Sequence, residues 1–197
     1  MIGLGPGILL SDSSVCNCNW MSGTEESLQM SLKQQLALNK AAICTEWFDA
    51  LAATYPADTA RFLKGNQDPF ANPVGGNSRQ SLEILLDLVL TDHDAEKARA
   101  ALDVIVRIRA IQGFTPAQAV RFVFDLKTIL RKQAAANAGD ARVQREMAEL
   151  DSRIDALALA AFDVYVGCRE KIYELKANEV RSKTFKAFAR AGLIKEP

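Results

Sequence analysis

The 197-residue sequence predicts an all-α fold: a single-domain helical bundle of six to seven helices, ending in a long C-terminal helix. Apolar residues return every three or four positions through almost the whole chain, which is the spacing of one helix face. Alternating Val, Ile and Thr runs of useful length, the mark of a strand, are absent. Glycine, proline and asparagine cluster at a few places and divide the periodic stretches into elements.

Residues 1–23, opening "MIGLGPGILLSDSSVCNCNW", read as a disordered leader or a non-native extension, with Met21 starting a more typical polar run. The helical domain is expected over 24–191 and a short tail over 192–197. From Glu25 to Thr54, Leu28, Leu32, Leu36, Ile43, Trp47 and Leu51 mark about one position per turn, and Pro56 stops the run. "ADTARFLKGN" reads as a short helix ended at Gly65. "NQDPFANPVGGN" reads as a loop, with Asn77 or Ser78 capping a helix whose face is Leu82, Leu85, Leu86, Val89 and Leu90. "TDHD" interrupts that helix, and Ala98, Leu102, Ile105 and Ile108 carry the next one.

The stretch "RIRAIQGFTPAQA" is the most instructed part of the chain. Gly113 suits a left-handed helix end. Thr115 is placed to cap a new helix, with Pro116 at its first position and Gln118 completing a capping box, each element worth about 1 kcal/mol. The helix so launched is expected to bury Val120, Phe122 or Val123, Phe124, Leu126, Ile129 and Leu130. After "NAGD" the longest helix runs from about Ala141 to Ala191. Leu150, Ile154, Leu157, Ala161, Val164 and Cys168 form a coiled-coil-like stripe along it. Leu159, Phe162 and Tyr165 add a second apolar face, which predicts packing on two sides at least through Tyr173.

Charge is balanced overall but unevenly spread. Residues 1–100 hold 7 Lys/Arg and 12 Asp/Glu, residues 101–197 hold 17 and 12, giving −5 and +5. An acidic half joined to a basic half points to a protein-facing surface and away from nucleic acid. The apolar runs are far shorter than the roughly 20 residues of a membrane span. With no basic n-region at the start, the expected location is the cytoplasm.

Catalytic signatures fail one after another. The chain has one histidine, His93 in "TDHDAEK", so no pair of Glu-x-x-His ligands can form, and no nucleophile elbow accompanies it. Cys16 and Cys18 form one C-x-C, while Cys44 and Cys168 lie inside helical patterns, short of the two ligand couples a metal site needs. "GLGPG" and "NPVGGN" lack the strand and the Lys-Ser/Thr of a phosphate loop. The expectation is a chain with no enzymatic activity and no cofactor. Arg107 and Arg109 lie on different sides of one helix, and Asp103 is spaced to pair with Arg107. The alternative role for the two arginines is an anion or effector contact at the helix corner.

"VRIRAIQGFTPAQAVRFVFDLKTILR" resembles the core signature of the RsbRD-type N-terminal sensor domain of RsbT co-antagonist proteins. The residues that carry the resemblance are Arg107, Arg109, Gln112, Gly113, Phe114, Thr115 and Pro116, then Phe122, Phe124, Leu126 and Lys127. "FDVYVGCREKIYELKANEVRSKTF" is similar to the family's C-terminal stretch, so the resemblance covers roughly Leu28 to Phe188. It implies a sensory module that hands an input to an output partner, and a globin-related helical fold as a further possibility. Ending at Pro197, the chain is expected to be a stand-alone form. The implied partners are a signalling protein, such as a kinase or anti-sigma-type factor, or the cytoplasmic face of a respiratory membrane complex, with a homodimer also open.

Two surfaces follow from these readings. The basic, Phe-bearing end, Arg181, Lys183, Phe185, Lys186, Phe188 and Arg190, is the expected docking surface for a partner. The alternative function is a helical pocket lined by Trp47, Phe122, Phe124, Phe162 and Tyr165, holding a small apolar molecule or haem.

Overall fold

A computed structural model describes residues 30–65, 71–91 and 94–193, and among them the secondary structure is helical throughout. The helices are α1 (Leu32–Leu38), α2 (Lys40–Ala53), α3 (Ala57–Gly65), α4 (Pro73–Leu90), α5 (Ala95–Ile111), α6 (Pro116–Ala134) and α7 (Ala141–Arg190), with a 3-10 turn at Ala135–Asn137. The readings of residues 1–29, of the loop at 66–70, of His93 and of the last four residues lie outside the described part.

Five helices close a ring. α2 packs on α4, α4 on α5, α5 on α7, α7 on α6, and α6 returns to α2. α1 touches α2, α4, α6 and α7, and α3 sits on α2 and α4. Ile43, Trp47 and Leu51 of α2, Leu82, Leu85 and Leu86 of α4, Leu102 and Val106 of α5, Phe122 and Leu126 of α6, and Leu150, Ile154 and Ala161 of α7 fill the centre. Val106 apart, these are apolar positions that the helical spacing marks; Ile108, also marked on α5, is only half-buried.

Local chemistry sets the ends. Ser31 and Gln34 form a capping box at the start of α1. The run expected from Glu25 to Thr54 is broken at Asn39, which sits at φ −96°, ψ 11° between α1 and α2. Apolar spacing alone passes over that break because it continues on both sides of it.

α4 corrects the sequence reading by starting earlier. Its cap is Asn72, not Asn77 or Ser78. The Asn72 side-chain oxygen accepts from the Gly75 N–H at 2.9 Å, while its amide donates to the Leu63 carbonyl at 3.0 Å. A Cβ on Gly75 would collide with that carboxamide, so the glycine admits the cap instead of marking a loop.

α7 packs on both α5 and α6, but not through the second face that Leu159 and Phe162 mark. The stripe from Leu150 to Val164 is buried, and Cys168 is half-buried. On the second face only Tyr165 is buried; Leu159 is 70% exposed and Phe162 47%, and Phe124 of α6, expected in the core, is 46% exposed. Beyond Arg169 most of α7 is exposed, so about 20 residues project from the ring.

Candidate functional site

The corner between α5 and α6 is built by its own sequence. Gly113 has φ 81°, and the Phe114 N–H reaches the Arg109 carbonyl at 3.1 Å while Gly113 N–H reaches Ala110 at 3.4 Å, the paired bonds of a glycine-ended helix. Thr115 Oγ1 accepts from Gln118 N–H at 3.3 Å, and Gln118 Oε1 accepts from Thr115 N–H at 3.0 Å. The capping box is formed with Pro116 at the first helical turn.

The corner matters because it seats a buried cation. Arg109 is 0% exposed and has no carboxylate bonded to it. One terminal nitrogen donates to the Gln118 carbonyl at 3.0 Å, and the other to Leu51 O at 3.2 Å and Thr54 Oγ1 at 2.7 Å. The rings of Tyr55, Phe114 and Phe122 stand 5.2–5.3 Å from the guanidinium carbon. Leu51 lies in the last turn of α2, whose carbonyl end carries partial negative charge, and this partly stands in for the missing anion. Burial pushes the Arg109 guanidinium down from its ordinary value, against the opposing influence of Tyr55 and Asp125.

Arg107 has the other fate. It is exposed and makes a two-point ion pair with Asp103, at 3.0 and 2.8 Å, and that partner raises its pKa. The sequence separates the two arginines by face, and the structure separates them by environment. Gln112 and Phe114 belong to the corner, Gln112 as the exposed cap of α5 and Phe114 as a half-buried ring 5.2 Å from Tyr55.

α7 grips this corner from outside. Tyr165 donates to the Phe114 carbonyl at 2.6 Å, and Arg169 donates to the Ala110 carbonyl at 3.2 Å. Arg169 also reaches the Tyr173 hydroxyl at 2.7 Å. Nothing local in the sequence marks Thr54, Tyr55 and Arg169 as corner residues, because their partners lie 50 or more positions away.

The five aromatics expected to line one pocket do not share one. Trp47 and Phe122 are fully buried core rings 6.3 Å apart, with the indole N–H donating to the Phe122 carbonyl at 2.7 Å. Tyr165 is committed to the corner. Phe124 and Phe162 line a different feature, an open apolar groove of about 1020 Å³ between α6 and α7 with Val120 and Leu159. A second cavity of about 720 Å³ lies between α2 and α6, lined by Glu46, Thr54, Phe114, Gln118, Arg121 and Asp125 among others. Thr54 and Gln118, which hold Arg109, form part of its wall.

The expected docking residues, Arg181, Lys183, Phe185, Lys186, Phe188 and Arg190, are all exposed on the projecting end of α7. Among the described residues, no group of three or more His, Cys, Asp or Glu could hold a metal ion. No helix among them is long and apolar enough to cross a membrane.

The model of the RsbT co-antagonist protein rsbRD N-terminal domain matches residues 41–180. The chain belongs to that family. The match takes in α2 to α6, the whole corner, and α7 to a point 11 residues beyond Arg169. This is a regulatory co-antagonist family, and membership suggests a regulatory or sensory part in stress-response signalling. No curated protein and no solved structure matches the chain.

Proposed function

We propose that this chain is a non-enzymatic sensory or regulatory module that passes an input from the helical ring to a partner protein through the end of α7. The observation that carries the reading is the division of α7. Its first part is core, Tyr165 and Arg169 fix it to the corner, and the rest stands clear of the ring with exposed basic and aromatic residues. The partner is a signalling protein, of kinase or anti-sigma type, with the cytoplasmic face of a respiratory membrane complex as the other candidate. Capture with tagged chains tests it. A chain ending at Lys176 is expected to lose the partner that the full chain retains, and equal capture by both removes α7 as the output element.

A small-molecule input is a second reading, and its place moves from the five aromatics to the cavity between α2 and α6. Support comes from the cavity wall, where Thr54, Phe114 and Gln118 also surround Arg109. A ligand there touches the groups that set the corner. Binding would appear as protection of Thr54 and Gln118 amides from hydrogen exchange in the presence of a small-molecule extract.

A further inference from the structure

The projecting part of α7 continues an apolar line that begins at the ring. At about 100° per residue, Leu159, Phe162, Tyr173, Val180 and Phe188 fall within one quarter of the helix surface. All five are large and 47–70% exposed. The lower end of the line forms one wall of the groove between α6 and α7, where Phe124 and Val120 face it. Farther out, small residues on the same side, Ala177 and Thr184, allow another backbone to come close.

A row of cations borders this line. Arg169, Lys176, Lys183 and Arg190 recur every seventh residue along one edge. On the other edge Asp163, Glu170 and Glu174 give way to Arg181. Ion pairs satisfy most cations of the ring; among the described residues of the projection Lys171 pairs with Glu174 at 2.7 Å and Lys183 with Glu179 at 2.6 Å, while Lys176, Arg181, Lys186 and Arg190 form no ion pair. We propose that the line and its cationic edge are the seat of an amphipathic helix from a partner protein, with its apolar side in the groove and along α7 and its acidic residues along one edge. The proposal rests on α7 being the output element and names the chemistry of what it meets.

Charge and shape select this occupant. A second copy of the chain fits less well: parallel projections set Lys176 against Arg181, although Arg169 would meet Glu174, and antiparallel ones centred on Tyr173 set Arg169 against Lys176. An anionic membrane would suit the cations, but a flat surface leaves the concave groove unfilled, and interfacial helices carry bulkier apolar sides than Ala177, Val180 and Thr184 supply.

The test uses the full chain and a synthetic helical peptide of about 20 residues with a Leu/Ala side and glutamates along one edge. A second peptide has glutamine at those positions, and vesicles of phosphatidylcholine with phosphatidylglycerol serve as the lipid probe. The glutamate peptide is expected to bind, and the variant Lys176→Glu/Lys183→Glu to weaken it roughly tenfold or more, as does raising salt from about 50 to about 500 mM. Both substituted positions are exposed and outside the core, and an unchanged helical spectrum confirms the fold. Phe162→Ser weakens binding of both peptides, through the groove. Equal binding of the two peptides, an unaffected double variant, vesicle binding without peptide binding, or a dimer that Val180→Glu dissociates would each overturn the proposal. Loss of the native partner on truncation at Lys176, with the double variant still binding that partner, keeps α7 as the output and rejects only the acidic helix.

Discussion

Replacing Arg109 separates the energy of its charge from the energy of its volume. The guanidinium makes three bonds of 2.7–3.2 Å, each worth about 1.5–3 kcal/mol net when a charge is involved. Against them stands the penalty for burying a cation with no bonded carboxylate, again several kcal/mol. The acceptors do not depend on it. Leu51 O also accepts from Thr54 N–H and Thr54 Oγ1, at 3.3 and 2.7 Å, and the Gln118 carbonyl lies in the first turn of α6, where helical donors reach it. Arg109→Met, of similar length, therefore leaves no orphaned acceptor and is expected to change stability by only about 1–2 kcal/mol. Arg109→Ala opens a cavity at a fully buried position and is expected to lose about 3–5 kcal/mol, a fall in Tm of about 10 °C for a chain of this size. Arg109→Lys keeps the charge but cannot span from Leu51 to Gln118, and should fall below the methionine variant. Urea unfolding with a common m-value measures all three. If methionine is as damaging as alanine, the carbonyl bonds carry net stability and the burial penalty does not offset them.

Three further predictions use other parts of the molecule. Gly113→Ala places a Cβ at φ 81° and should reduce stability by about 1–2 kcal/mol, while Thr115→Ala removes the cap of α6 and should lose about 1 kcal/mol, both read from denaturant midpoints. Burial pushes the Cys44 thiol up to about 11, so at pH 8 only about one molecule in a thousand carries the thiolate, and alkylation in the folded state should stay negligible until the pH approaches that value. Mass spectrometry of alkylated protein, native against unfolded, measures it; rapid native labelling of Cys44 at pH 8 would show that its helix opens. Deleting residues 177–197 should leave Tm unchanged within about 1–2 °C, because that part of α7 places no described side chain in the core.

The corner was legible in the sequence because its instructions are local. Gly113, Thr115, Pro116 and Gln118 act within six positions of one another, and each took the geometry its chemistry favours. Arg107 with Asp103 was legible for the same reason, four positions apart on one helix. The burial of Arg109 was not, since Leu51 and Thr54 come from 58 and 55 positions away and carry no local mark. Helical spacing identified an apolar side at Phe124, Leu159 and Phe162, but apolar character does not say whether a neighbour will cover it. The ring closes on the other faces of α6 and α7 and leaves this one open. Asn72 misled in the opposite direction. Two glycines beside a proline read as a loop, whereas Gly75 is small because a side-chain cap occupies the space above it.

Arginines end three helices of the ring, and that shared device bears on how an input could travel. Arg109 donates to the last turn of α2, Arg153 to Val89 and Thr91 carbonyls at the end of α4, and Arg169 to Ala110 at the end of α5. Arg153 and Arg169 both belong to α7, so α7 is tied to backbone at two helix ends and to the corner through Tyr165. Bonds to backbone move helices as bodies, whereas packed side chains can absorb a shift by changing rotamer. A displacement of the end of α2 reaches Arg109, then the start of α6 and the Phe114 carbonyl, then Tyr165, without leaving hydrogen-bonded groups. The projection multiplies it: the 18 residues from Tyr173 to Arg190 span about 25 Å, so a tilt of about 5° at the corner moves the tip by about 2 Å. Tyr165→Phe and Arg169→Gln each cut one tie between the corner and α7, and the double variant should uncouple the tip from the ring while leaving the proposed docking residues intact. Partner capture that survives in the double variant, but no longer responds to substitution at Thr54, is the outcome this route requires.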